Sequence, residues 1–246
     1  MRKFAVMLMV LLLLLAGCGF RVPVAESIES VSESSESSIA EEHFSLLASL
    51  PEDDIYLYGI GGNGFMLFQD GCGRYFDWNG VKNSNRGKPR LKYADFDGDG
   101  VKEIAVIECI TAFTDDYFTK LHVLKIEENY SNRIYSYKDY TVTVYELLDE
   151  DDFAYKNGTA FYKGEAIGKA RGSEDSGGIV GRSFGELVYF SFDENDGLVC
   201  KAVIGYRYQI GEATENFTDM VMNISFDGEG FNIDNYHFTN DDYESF

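Results

Sequence analysis

Tyr93-Ala94-Asp95-Phe96-Asp97-Gly98-Asp99-Gly100-Val101-Lys102-Glu103-Ile104-Ala105-Val106-Ile107 is the stretch from which fold and chemistry are both read. Acidic side chains stand at Asp95, Asp97, Asp99 and Glu103. A hard cation such as calcium takes six to eight oxygens at about 2.3–2.6 Å. Carboxylates at relative positions 1, 3, 5 and 9, with the Val101 carbonyl at position 7, supply most of that number. Gly100 falls at position 6, where the chain must turn sharply. Four acids this close repel one another unless a cation neutralises them. The spacing therefore predicts a calcium-binding turn, with a solvated Asp-Gly hairpin tip as the bland alternative.

The flanks read as strands. Leu91 and Tyr93 alternate with polar neighbours before the loop. Ile104 to Ile107 runs apolar on both faces, as a strand covered on both sides does. An EF-hand is excluded, since it needs a helix on each side and a bidentate Glu at position 12, where Val106 stands. A strand–loop–strand site of this form resembles the FG-GAP or VCBS repeat family, whose loops also occur in the propellers of integrin alpha subunits. The resemblance covers about fifteen residues and implies metal ligands at Asp95, Asp97, Asp99, Val101 (through its carbonyl) and Glu103. Glu103 departs from the Asp usual at the last position. Only one clear copy of the motif is present.

The first seventeen residues read as a targeting segment: Arg2 and Lys3, then an apolar run from Ala5 to Ala16. That run is short for a membrane span. Leu15-Ala16-Gly17-Cys18 resembles a bacterial lipoprotein box, which implies cleavage before Cys18 and a diacylglycerol on its sulfur. Two acyl chains suffice for stable anchoring. The expected location is the outer face of a bacterial cytoplasmic membrane. Losing residues 1–17 removes Arg2 and Lys3 and no acid, which leaves 19 Lys+Arg against 42 Asp+Glu and a formal charge of −23. Nucleic acid as a partner is excluded by that balance, as is a polybasic membrane contact.

Residues 18–38, rich in Ser and Glu, lack the apolar surface to fold and read as a tether. Ser38 and Glu41 suggest a capping box, and Ile39, Phe44, Leu46, Leu47 and Leu50 suggest one short N-terminal helix ended by Pro51. From Pro51 onward the period is two. Expected strands are Ile55–Ile60, Phe65–Gln69, Arg74–Trp78, Arg90–Ala94, Glu103–Cys109, Tyr117–Ile126, Tyr135–Glu146, Thr159–Tyr162, Gly185–Phe192, Leu198–Gln209, Asp219–Phe226 and Phe231–Phe238, parted by Asp-Gly and Asn-Gly turns. Residues 39–246 are thus expected to form one all-β domain of antiparallel hairpins, propeller-like or as an open meander or sandwich.

Three further motifs are weighed against plainer readings. Gly59-Ile60-Gly61-Gly62-Asn63-Gly64 matches a dinucleotide fingerprint, but a strand follows it where a helix is needed. Gly181-Arg182-Ser183-Phe184-Gly185 matches a nucleophile elbow, with Asp193 or Asp196 and His237 in hydrolase order, yet no helix follows. Cys72, Cys109 and Cys200 permit three single bridges, and none is assigned. The functional expectation is a calcium-stabilised β binding or interaction module on the cell surface, without catalytic residues. Its partner would be a cell-envelope polysaccharide or protein. The alternative is a secreted hydrolase acting on polysaccharide or peptide.

Overall fold

Antiparallel hairpins build nearly the whole molecule. A computed structural model describes residues 44–61, 64–80, 88–112, 117–127, 136–169, 179–209 and 214–239. The first sheet joins β1 (Phe44–Leu50), β2 (Ile55–Ile60), β3 (Phe65–Gln69) and β4 (Cys72–Phe76) as a meander in chain order. Strict alternation drives it: Ile55, Leu57, Phe65 and Leu67 are fully buried on one face, as period-two patterning requires.

The second sheet has eight strands. Beginning with β5 (Arg90–Ala94), β6 (Glu103–Ala112) and β7 (Tyr117–Glu127), it continues through β12 (Ile179–Phe192), β13 (Leu198–Tyr208), β14 (Thr214–Phe226) and β15 (Phe231–Thr239). β8 (Ser136–Val142) pairs with the C-terminal part of β7, while Tyr117 and Phe118 at its start pair parallel with β12. Between β8 and β12 lie α1 (Val144–Leu147), a 3₁₀ turn at Glu150–Asp152 and a small sheet of β9 (Phe153–Lys156), β10 (Thr159–Tyr162) and β11 (Glu165–Lys169). The sheets are open and stacked rather than set as radial blades. Of the two arrangements left open by the sequence, the chain takes the open sandwich and meander.

β6 and β7 are the shared middle layer. Ile104, Val106 and Leu124 pack into one cluster with Ile55, Leu57, Phe65 and Leu67 of the first sheet and with Trp78 just beyond its last strand. Ala105, Ile107, Leu121 and Val123 pack into the other, with Phe190, Ile204, Met220 and Phe226 of β12–β14. The continuous apolar run Ile104–Ile107 exists because both of its faces are covered. The β5 edge folds back across the far half of the same sheet. Arg90 donates a hydrogen bond to the Phe190 carbonyl, and Lys92 pairs with Asp196.

Where it falls on described residues, the expected N-terminal helix is a strand; its capping box at Ser38 and Glu41 lies outside the described residues. Phe44–Leu50 pairs antiparallel with β2, with a bulge between Leu46 and Ala48. The bulge breaks the alternation and brings Leu47, Ala48 and Leu50 against the first core, so a bulged strand carried an apolar spacing that reads as helical. Pro51 does not end a helix; it opens a 3₁₀ turn, Pro51–Asp53. Among the described residues the one α-helix is α1, which overlaps the end of the stretch expected as strand Tyr135–Glu146. Thr143 and Glu146 form a capping box there: the Thr143 N–H donates to Glu146 Oε2 at 2.7 Å.

Candidate metal centre

The acidic loop spans the tip between β5 and β6. Asp95, Asp97 and Asp99 each bring a carboxylate oxygen within 4.8 Å of the other two. Backbone turns hold them there. Asp95 Oδ1 accepts from the Gly98 N–H at 2.8 Å, and its Oδ2 accepts from Gly100 N–H at 3.0 Å. Asp97 Oδ1 accepts from Asp99 N–H at 3.1 Å, and Asp99 Oδ1 from Val101 N–H at 2.7 Å. Such Asx turns need glycine where the chain doubles back. Gly98 and Gly100 stand at φ +75° and +87°, with open space around both.

Glu103 opens β6 and is fully buried. Its Oε2 accepts from the Phe96 N–H at 2.8 Å, which ties the base of the loop shut. Its Oε1 is buried with no hydrogen-bond partner. Burial raises the Glu103 pKa, the Phe96 N–H opposes that rise, and the charges of Asp97 and Asp99 add to it. A buried carboxylate oxygen without a donor is costly to leave bare. Val101, the expected carbonyl ligand, is half exposed at the outer turn. The structure thus gathers Asp95, Asp97 and Asp99 into one cluster and leaves the expected ligand Glu103 outside it, tied to the Phe96 N–H at the base of the loop.

One cation already meets these acids. Lys125, near the end of β7, donates to Asp97 Oδ2 and to Asp99 Oδ2, the latter at 2.7 Å. Both bonds push the Lys125 pKa up. The same bond from Lys125, with the Val101 N–H, holds the Asp99 carboxyl low. The register that pairs Ile104 with Leu124 sets Lys125 beside Glu103 on one face of the sheet. Lys125 was not singled out from the sequence. The available signal was its alternation with apolar Leu121 and Val123, which aims a charge toward a covered face. The β14–β15 turn closes over the pair: a Cβ on Gly228 would lie 2.8 Å from Asp97 Oδ2 and 3.5 Å from Lys125 Nζ.

A second polar cluster lies in the first core. His122 is fully buried, with Nε2 2.9 Å from Glu108 Oε2 and Nδ1 3.1 Å from Asp139 Oδ1. Trp78 Nε1 donates to Asp139 Oδ2 at 2.9 Å, and its ring lies 4.1 Å from the imidazole. Glu108 on β6 and Asp139 on β8 flank β7 diagonally, so three adjacent strands build the cluster. Both imidazole nitrogens are spent on carboxylates, which makes the group an ion-pair network rather than a metal ligand.

No match is found among protein families, curated proteins or solved structures. Geometry alone therefore weighs the remaining motifs. Ser183 lies on β12 and His237 on β15, with β13 and β14 between them. Three strand spacings of about 4.8 Å keep them too far apart for a nucleophile–base bond. Gly59 and Gly64 stand where β2 pairs antiparallel with β3, a strand and not a helix, with the Ile60 N–H donating to the Gly64 carbonyl at 3.2 Å; Gly62 and Asn63 lie outside the described residues. Asp149 caps the 3₁₀ turn at Glu150–Asp152, accepting from Asp151 N–H at 3.0 Å. Burial pushes the Cys200 thiol up, away from reactivity. Cys18, the expected lipid acceptor, lies outside the described residues, as does the tether.

Proposed function

We propose that this chain is a cell-surface lipoprotein, anchored through Cys18, whose β-sandwich is a calcium-stabilised binding or interaction module. The observation that carries the calcium reading is the meeting of Asp95, Asp97 and Asp99 in one cluster, on a loop whose last acid, Glu103, is buried with an Oε1 that has no donor. The donor set is all oxygen, as calcium prefers. The ion's role is structural: it would lock the β5–β6 tip, and with it the edge strand that folds across β12 and β13. The Cys18 anchor and the location on the extracellular face of the cytoplasmic membrane rest on the lipoprotein-like N-terminus. The strongly acidic balance supports a neutral or basic envelope partner, polysaccharide or protein, over nucleic acid.

Thermal unfolding tests the calcium reading. Extracellular modules bind calcium in the ~10⁻⁴–10⁻³ M range, and tenfold saturation adds about 1.4 kcal/mol. For a chain of this size that raises Tm by about 3–6 °C. The rise should vanish with a chelator and be absent in Asp97→Ala. A wild-type melt that ignores both calcium and chelator would refute the assignment.

A further inference from the structure

We propose that Lys125 is the loop's built-in counter-ion and that a divalent cation enters by exchanging with it, so the tip has two closed states, one held by lysine and one by metal. This rests on the calcium reading above. The lysine-held state is the one described: the ammonium bridges Asp97 Oδ2 and Asp99 Oδ2. Asp97 is nearly enclosed there, while the Lys125 head remains partly open to water. An exit for the ammonium therefore exists without unpacking the sheet.

Charge forbids joint occupancy. A divalent ion coordinated by Asp97 and Asp99 would sit within a few ångströms of the ammonium that grips the same two carboxylates, and like charges at that separation repel strongly. The oxygens facing Lys125 are also the ones free of backbone donors: Asp97 Oδ1 and Asp99 Oδ1 are taken by Asp99 N–H and Val101 N–H, and their Oδ2 atoms by lysine. The buried Glu103 Oε1 is a separate sign of an unfinished shell. The lysine satisfies Asp97 and Asp99 and leaves that buried oxygen bare. Lys125 thus sets the calcium concentration at which the tip changes hands, and it keeps the acids neutralised when calcium is scarce.

Two measurements on the full chain test the exchange, with calcium chloride as the probe. Calorimetric titration of wild type and Lys125→Met should show calcium bound about tenfold or more tightly by the variant, the repulsive charge being gone. Calcium should also move the NMR signals of the Lys125 side chain in wild type to those of a solvated lysine, which needs no variant to fold. Equal calcium affinity in both chains, with the Lys125 signals unmoved, would overturn the exchange and leave the calcium reading standing. No calcium binding by either chain would overturn both.

Discussion

A single methyl group at residue 228 is enough to disturb the acidic tip. Gly228 has φ +87°, and a Cβ there would press on the Asp97 carboxylate that Lys125 already holds. A side chain in left-handed backbone costs about 1–2 kcal/mol before any contact is counted. Gly228→Ala should therefore cost about 2 kcal/mol in all, lowering Tm by about 4–8 °C. Gly230→Ala is the control, because its Cβ would meet nothing and its φ is ordinary; it should shift Tm by less than about 2 °C. Comparable losses in both variants would show that the turn is sensitive to any side chain and that the contact with Asp97 is immaterial. At this scale the sequence disclosed the local half of the centre. Asp95, Asp97, Asp99 and Glu103 declare themselves by spacing within nine residues. Lys125 and Gly228 do not, since they arrive from β7 and from the β14–β15 turn, and their partnership is a product of strand register.

Register also explains the buried His122, which joins three strands. Burial alone lowers its pKa, yet the hydrogen bonds and charges of Asp139 and Glu108 together raise it above the ordinary value of 6.5. Trp78 is the remaining group packed on the ring, and it carries no charge. The folded pKa is above the unfolded one, so this histidine's contribution is fully present below about pH 6.5 and is lost as pH rises through the folded pKa. Urea midpoints should therefore fall as pH is raised above about 6.5 and through the folded pKa, and the fall should flatten in His122→Gln. A slope unchanged by that substitution would assign the effect to other groups. His122→Ala should cost about 3–5 kcal/mol, since it strands the buried Glu108 carboxylate in the core. The segment that carries His122 gives no sign of its partners. Strand spacing is legible one strand at a time, whereas Glu108 and Asp139 become neighbours only across β6, β7 and β8. The strand Phe44–Leu50 was misread for a related reason: its bulge hides the alternation, and its pairing edge on β2 lies outside the segment itself.

Across the whole molecule, the layering makes one strand answer to two cores. β6 sends Ile104 and Val106 toward the first sheet, and Ala105 and Ile107 toward β12–β14. Its doubly apolar run was readable as a strand covered on both sides. What covered it was not readable, because the two layers come from segments before and after it with no repeat to mark them. If the middle layer couples the cores, damage on either face must unfold both. Trp78, the chain's single tryptophan, sits in the first core and reports on that core alone. Ile107→Ala acts on the opposite face, where Ile107 is almost fully buried. The substitution should cost about 2–5 kcal/mol, and it should move the Trp78 fluorescence transition by the same denaturant concentration as the far-ultraviolet dichroism. Val106→Ala, on the Trp78 side, should shift the two probes together by a smaller amount, one methyl-pair deletion in place of a larger one. If Ile107→Ala shifted the dichroism while Trp78 kept its wild-type midpoint, the two cores would be separate folding units, and the tip between β5 and β6 could stabilise only the layer it belongs to.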